Sequence, residues 1–148
     1  MDRQYLRKVE KLIATKNLTQ HIVLAGSRDG LELKYLLAHS HVFVMPYSHE
    51  GFGMAHLEAM GFALPVIGSF SGAVREIVIS GENGFLVEPG DFKTVIACIA
   101  SLHEDRQRLL RMSVAALQTF HGRPKWKDSM QAIERFLNEI STTPLSAG

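Results

Sequence analysis

Two carboxylates frame the part of this sequence best suited to chemistry. Glu50 and Glu58 lie eight residues apart, and Gly51 and Gly53 follow the first of them. Glycines let a backbone approach a ligand closely and take dihedrals that other residues avoid. A helix starting near Met54 turns its first N–H groups towards the loop Ser48–Gly53, and such groups bind phosphate. Glu50 stands in that loop, at the mouth of the site. Glu58 lies just over a turn into the helix. Helical side chains lean towards the N-terminus, so its carboxylate points back to the same mouth. A carboxylate repels phosphate, so Glu58 suits a diol such as a ribose, and Glu50 suits sugar hydroxyls. Two acceptors around a nest of N–H donors match a ligand that carries both hydroxyls and phosphates, as a nucleotide sugar does.

Other chemistries fit less well. Paired carboxylates also hydrolyse glycosides, but a glycine-rich helix start favours phosphate. His49, Glu50 and His56 match no metal-ligand spacing. His49 reads as a loop residue, and His56 as a helix-surface residue or a contact behind the site. Met54 and Met60 read as packing residues. The single cysteine, Cys98, lies in an apolar helical run and reads as a buried structural thiol. The formal net charge of +1 carries no footprint for nucleic acid. The charged, amphipathic N-terminus is no signal peptide, and no apolar run is long enough to span a bilayer. A cytosolic protein is expected, and a peripheral contact with a membrane surface is compatible with it.

The elements that must position the loop alternate along the chain. Apolar spacing at Leu6, Val9 and Ile13 predicts a helix over Arg3–Lys16, stopped at Asn17. His21–Ala25 reads as a buried strand, Leu31–His39 as a helix and His41–Met45 as a second strand. After the loop come a helix from Met54 to Phe62, a strand at Pro65–Ile67 and a short helix around Arg75–Val78. A fourth strand follows at Phe85–Val87. Three helices complete the chain. The first is capped by Asp91, with Val95, Ile99 and Leu102 on one face. The second spans Asp105–Phe120, with Leu110, Val114 and Leu117 aligned. The last carries Trp126, Met130, Ile133, Leu137 and Ile140 as a docking stripe. Apolar strands alternating with helices predict an α/β fold, a Rossmann-like parallel sheet flanked by helices. Ligands of such sheets bind at the carboxyl ends of the strands, which is where the Glu50 loop lies.

From Glu50 onward the residues form a longer ordered series. Gly-Phe-Gly follows Glu50 and Ala-Met-Gly follows Glu58. Then come Pro65-Val66-Ile67-Gly68, Ser71-Gly72-Ala73, Glu76-Ile77-Val78, Gly81, Gly84-Phe85-Leu86-Val87 and Pro89-Gly90-Asp91. The series resembles the retaining glycosyltransferases of group 1, or family 4, which have the GT-B fold. The resemblance runs from about Leu6 to Leu137. It implies that Glu50 binds donor-sugar hydroxyls and is the catalytic candidate, and that Glu58 binds the ribose of the nucleotide. The backbone of Gly51, Phe52, Gly53 and Met54 would contact sugar and diphosphate, Leu57 would pack near the ribose, and Gly26 and Ser27 would lie near the base. It implies no metal and no cofactor, the nucleotide sugar being the substrate.

The resemblance also sets an expectation about completeness. Residues 1–141 would form the donor-binding part, and 142–148 a small-residue tail without fixed structure. The family's acceptor-binding domain would precede Met1. So would the first two strands of its donor domain and the Arg and Lys that contact the diphosphate. Little transfer is expected from the chain by itself, and a homo-oligomer or a separate acceptor-domain chain is expected to complete it. The alternatives are a non-catalytic nucleotide-binding or interaction module, or one subunit of a split glycosyltransferase.

Overall fold

The computed structural model describes residues 3–46, 53–124 and 126–142. Its elements run α1 (Arg3–Thr15), α2 (Gly30–Ala38), β1 (Phe43–Met45), α3 (Met54–Gly61) and β2 (Val66–Ser69). A 3₁₀ helix (Gly72–Glu76), β3 (Gly84–Val87), α4 (Phe92–Glu104), α5 (Arg106–Gly122) and α6 (Trp126–Thr142) follow. The chain divides into two compact units, Met1–Leu36 and Leu37–Gly148.

In the first unit, α1 ends where Asn17 takes a positive φ of 56°, a conformation that asparagine tolerates better than most residues. Ile13 is its buried residue. The expected strand at His21–Ala25 does not form. The amides of His21 and Ile22 instead turn back to the Leu18 carbonyl. A strand is stable only as part of a ladder, and none of the described residues pairs with this segment. Its apolar side chains remain exposed, Val23 by 86%.

The second unit is built on a parallel sheet in the order β1-β2-β3. Phe43 pairs with Val66 and Met45 with Gly68, while Val66 pairs with Gly84 and Ser69 with Val87. All residues of β2 are buried, as a parallel strand covered on both sides requires. Helix α3 packs on β1 and β2, α4 on β3, and α5 on both α3 and α4. The α/β architecture is therefore as expected, a partial Rossmann-like sheet flanked by helices. Leu102, Leu109 and Met112 form a core cluster against Val42 and Phe85.

The buried faces of the last helices differ from expectation. On α5 the buried residues are Leu109, Met112 and Ala116, whereas Leu110 and Val114 are exposed. Both stripes have helical period, and contact with α3 and α4 selects the first. On α4 only Leu102 is buried, and Ile99 is exposed. Cys98 is half-buried rather than buried, and desolvation pushes its thiol above the ordinary value. The stripe of α6 does not dock. Met130, Ile133, Leu137 and Ile140 are all exposed, because no described element covers them.

Polar groups hold the turns between these elements. Asp91 caps α4 by accepting from the hydroxyl and the amide of Thr94, which hold its carboxyl below the usual value. The side chain of Asn83 is fully buried. It accepts from the Ile79 amide at 2.7 Å and donates to the Ile77 carbonyl at 3.0 Å and the Thr119 hydroxyl at 2.9 Å. It thereby ties the turn before β3 to α5. Helix α3 ends in a Schellman arrangement, with the Leu64 amide on the Ala59 carbonyl and the Ala63 amide on that of Met60. Ala63 holds the left-handed position there, at φ 58°.

Two substitutions test this account in urea unfolding. Asn83→Ala strands its buried partners and is expected to cost about 2 kcal/mol. Ala63→Gly relieves the left-handed strain and should stabilise the protein by roughly 0.5–1 kcal/mol. A neutral result at either position would refute its assigned role.

Candidate functional site

The candidate site lies at the carboxyl end of the sheet, where β1 hands over to α3. Gly53 caps α3 with φ 65° and ψ 20°, and the Leu57 amide donates to its carbonyl at 3.0 Å. The cap residue is a glycine, and among the described residues no side chain caps this helix start, which leaves first-turn N–H groups for an acceptor from outside. Glycine is needed here for two reasons. The φ is left-handed, and a Cβ would stand 2.7 Å from Ile77 Cδ1. The segment just after β2 therefore packs directly on the helix start.

Helix α3 shows two faces with different tasks. His56, Ala59 and Met60 are buried. Met54, Leu57, Glu58 and Gly61, at helical spacing, line a cleft of about 340 Å³, with Phe62 and Phe120 as its other walls. Glu58 is exposed in this cleft and Leu57 is half-buried. Among the described residues the floor is apolar and the one carboxylate is that of Glu58, which suits a ligand with a flat or hydrophobic body and hydroxyls to donate.

Of the residues singled out in the sequence, Met54, Leu57 and Glu58 come together in this cleft, and Gly53 stands at its helix start. Glu50, Gly51 and Phe52 lie outside the described residues, as does His49. Gly26 and Ser27 belong to the first unit, where Gly26 has φ 70°. Their neighbours Ala25 and Arg28 line an apolar hollow of about 540 Å³, together with Leu24, Leu31 and Tyr35. Arg28 is paired there with Glu32 at 2.9 Å.

Sequence reasoning missed three cleft residues. Gly61 could have been found, since it lies seven positions after Met54 on the same face. Phe62 sits just past the helix end. Phe120 reaches the cleft from α5, and no local spacing announces it. Of the two readings of His56, the surface one is corrected: the residue is fully buried, with Nε2 3.2 Å from the Met45 carbonyl oxygen. Among the described residues no group of His, Cys, Asp or Glu is arranged to hold a metal ion, and no helix is long and apolar enough to cross a membrane.

Comparison with known proteins places these features in a family. The family model described as "Glycosyl transferases group 1" matches residues 2–119. An uncharacterised glycosyltransferase of Methanocaldococcus jannaschii is 30% identical over 143 residues, which are 95% of this chain and 39% of that protein. The sucrose synthase of Thermosynechococcus vestitus is 31% identical over 138 residues, 85% of this chain and 17% of the synthase. Among solved structures, Anabaena Alr3699/HepE in complex with UDP matches at a TM-score of 0.83 and 25% identity, over 93% of this chain and 37% of that one. The C-terminal domain of a group 1 family glycosyl transferase from Francisella tularensis matches at 0.77 and 25% identity, over 84% of this chain and 65% of that one. The chain spans well under half the length of the curated relatives it matches. With its sheet, its glycine-capped helix and the extent of this match, the chain belongs to the group 1 glycosyltransferases.

Proposed function

We propose that this chain supplies the donor-binding part of a transferase that moves a glycosyl group, with retention, from a nucleotide sugar to an acceptor. The observation that carries the reading is the cleft beside Gly53, where Met54, Leu57 and Glu58 share one face of α3. Glu58 would accept hydrogen bonds from the ribose diol and Leu57 would pack against the ribose. The amides of the first turn would meet the diphosphate, whose charge the helix start favours. Glu50 would bind the donor-sugar hydroxyls, with the backbone of Gly51, Phe52 and Gly53 beside sugar and diphosphate. Gly26 and Ser27 would face the base. Anabaena Alr3699/HepE, similar in fold, has been crystallised with UDP and with UDP-glucose, which supports a nucleoside diphosphate here. No metal is needed in this scheme, since oriented N–H groups and basic side chains stabilise the departing diphosphate.

A second reading gives acceptor recognition to a separate chain or a second copy. The exposed apolar stripe of α6 favours it, because none of its described side chains is buried and helices in proteins owe most of their stability to packing of an amphipathic face. Transfer that appears only on mixing with an acceptor-domain chain would establish the split enzyme. Nucleotide binding without transfer under any such condition would leave a binding module.

Calorimetric titration with uridine, guanosine and adenosine diphosphates tests the donor site. One nucleotide is expected to bind, unaffected by EDTA, and Glu58→Ala should weaken it by roughly ten- to a hundredfold, the range for hydrogen bonds to a charged group. A folded protein that binds none of the three, or a mutant that binds equally well, would overturn the assignment.

A further inference from the structure

We infer that His56 is a positioning residue, which holds the first turn of α3 to the end of β1 and so sets where Leu57 and Glu58 stand. The inference builds on the donor-site reading above. His56 has no exposed surface and lies on the side of α3 away from the cleft. Its Nε2 is 3.2 Å from the Met45 carbonyl oxygen. A carbonyl oxygen only accepts, so Nε2 donates. Met45 is the last residue of β1, so this one bond spans the whole connection from strand to helix.

The ring is gripped from two strands. Phe43 of β1 meets it edge-on, with centroids 5.6 Å apart and planes at 82°. On the β2 side, the place a Cβ would take at Gly68 lies 3.4 Å from Nε2, an ordinary contact distance, so this strand also borders the ring. The second ring nitrogen, Nδ1, is buried with no hydrogen-bond partner among the described residues. An unmatched buried polar atom is unfavourable. Leucine would fill much of the same space without that penalty. What the imidazole adds over leucine is the bond to Met45. That bond matters here because α3 is only eight residues long and its cap residue is a glycine, which has no side chain to hold the first turn. Glu58 follows two residues later, so any tilt of the first turn at His56 moves its carboxylate.

The test compares His56→Leu and His56→Gln with the unaltered full chain. Gln offers a side-chain N–H at similar reach. Two quantities are read: amide hydrogen exchange by NMR, and affinity for the nucleoside diphosphate that the unaltered chain binds. The leucine variant should speed exchange at Leu57 and Glu58 by roughly two- to tenfold relative to Ile67 and Phe85, as loss of one hydrogen bond implies. Affinity should fall by a similar factor, and the glutamine variant should restore both. Equal acceleration throughout the sheet, no acceleration at all, or loss of folding in the leucine variant would overturn the inference and make the ring a packing group. If the unaltered chain binds no nucleotide, the donor-site reading fails by itself, and the exchange comparison still judges His56.

Discussion

Burial of β2 on both faces is the demand that the rest of the second unit answers. No residue of Val66–Ser69 reaches water, so the strand can contribute neither a polar face nor an edge. Everything beside it has to come close. β3 presents Gly84 opposite Val66, where a Cβ would collide with the Val66 carbonyl oxygen at 2.2 Å. Buried residues from α3 and the 3₁₀ helix, Met60 and Val74 among them, complete the covering. Little slack is left in such packing. The end of β1 and the start of α3 are therefore held by their neighbours before any ligand arrives.

The chemistry follows from a division of labour within one short helix. Its inner face answers to the sheet and its outer face to the cleft. A carboxylate is tolerable on the outer face because water still reaches Glu58. The same group among Ala59 and Met60 would face a severe desolvation penalty. The helix start adds N–H groups that meet no side-chain acceptor among the described residues. Positive potential at the helix tip and negative charge on its flank thus lie about one turn apart. A ligand whose phosphates and hydroxyls are separated by a comparable distance meets both favourably.

How much of this could be read from the sequence depended on whether a signal was local. The helix periods were local, and α1 to α6 all form near their expected places. The glycines around Glu50 and Glu58, and the apolar strand runs, identified family and sheet. Signals that depend on a partner failed. His21–Ala25 has the composition of a buried strand, but a strand exists only where a ladder receives it. On α5 two stripes compete, Leu109, Met112 and Ala116 against Leu110, Val114 and Leu117, and periodicity ranks them equally. For His56 the sequence leaves two readings open, surface residue or contact behind the site, for the same reason. Its place near the start of a helix beside a polar loop suggests surface, and only the position of Met45 and Gly68 makes it interior. Phe120 belongs to the cleft through the packing of α5 on α3, which no short window contains.

The strand order has a consequence for how the molecule is made. β1, β2 and β3 neighbour each other in the sheet in the same order as along the chain. Each parallel crossover therefore closes a loop between successive segments, and none has to wait for a strand from far downstream. Loop closure of this kind carries a modest entropic penalty. As the chain leaves the ribosome, β2 can pair with a β1 already present, and β3 can then pair with β2. Two helices on which the cover depends, α4 and α5, are synthesised after β3. Until they arrive, Val42 and Phe85 lack the Leu102, Leu109 and Met112 cluster that shields them. The vulnerable interval is thus the synthesis of α4 and α5, when the sheet exists and this part of its cover does not.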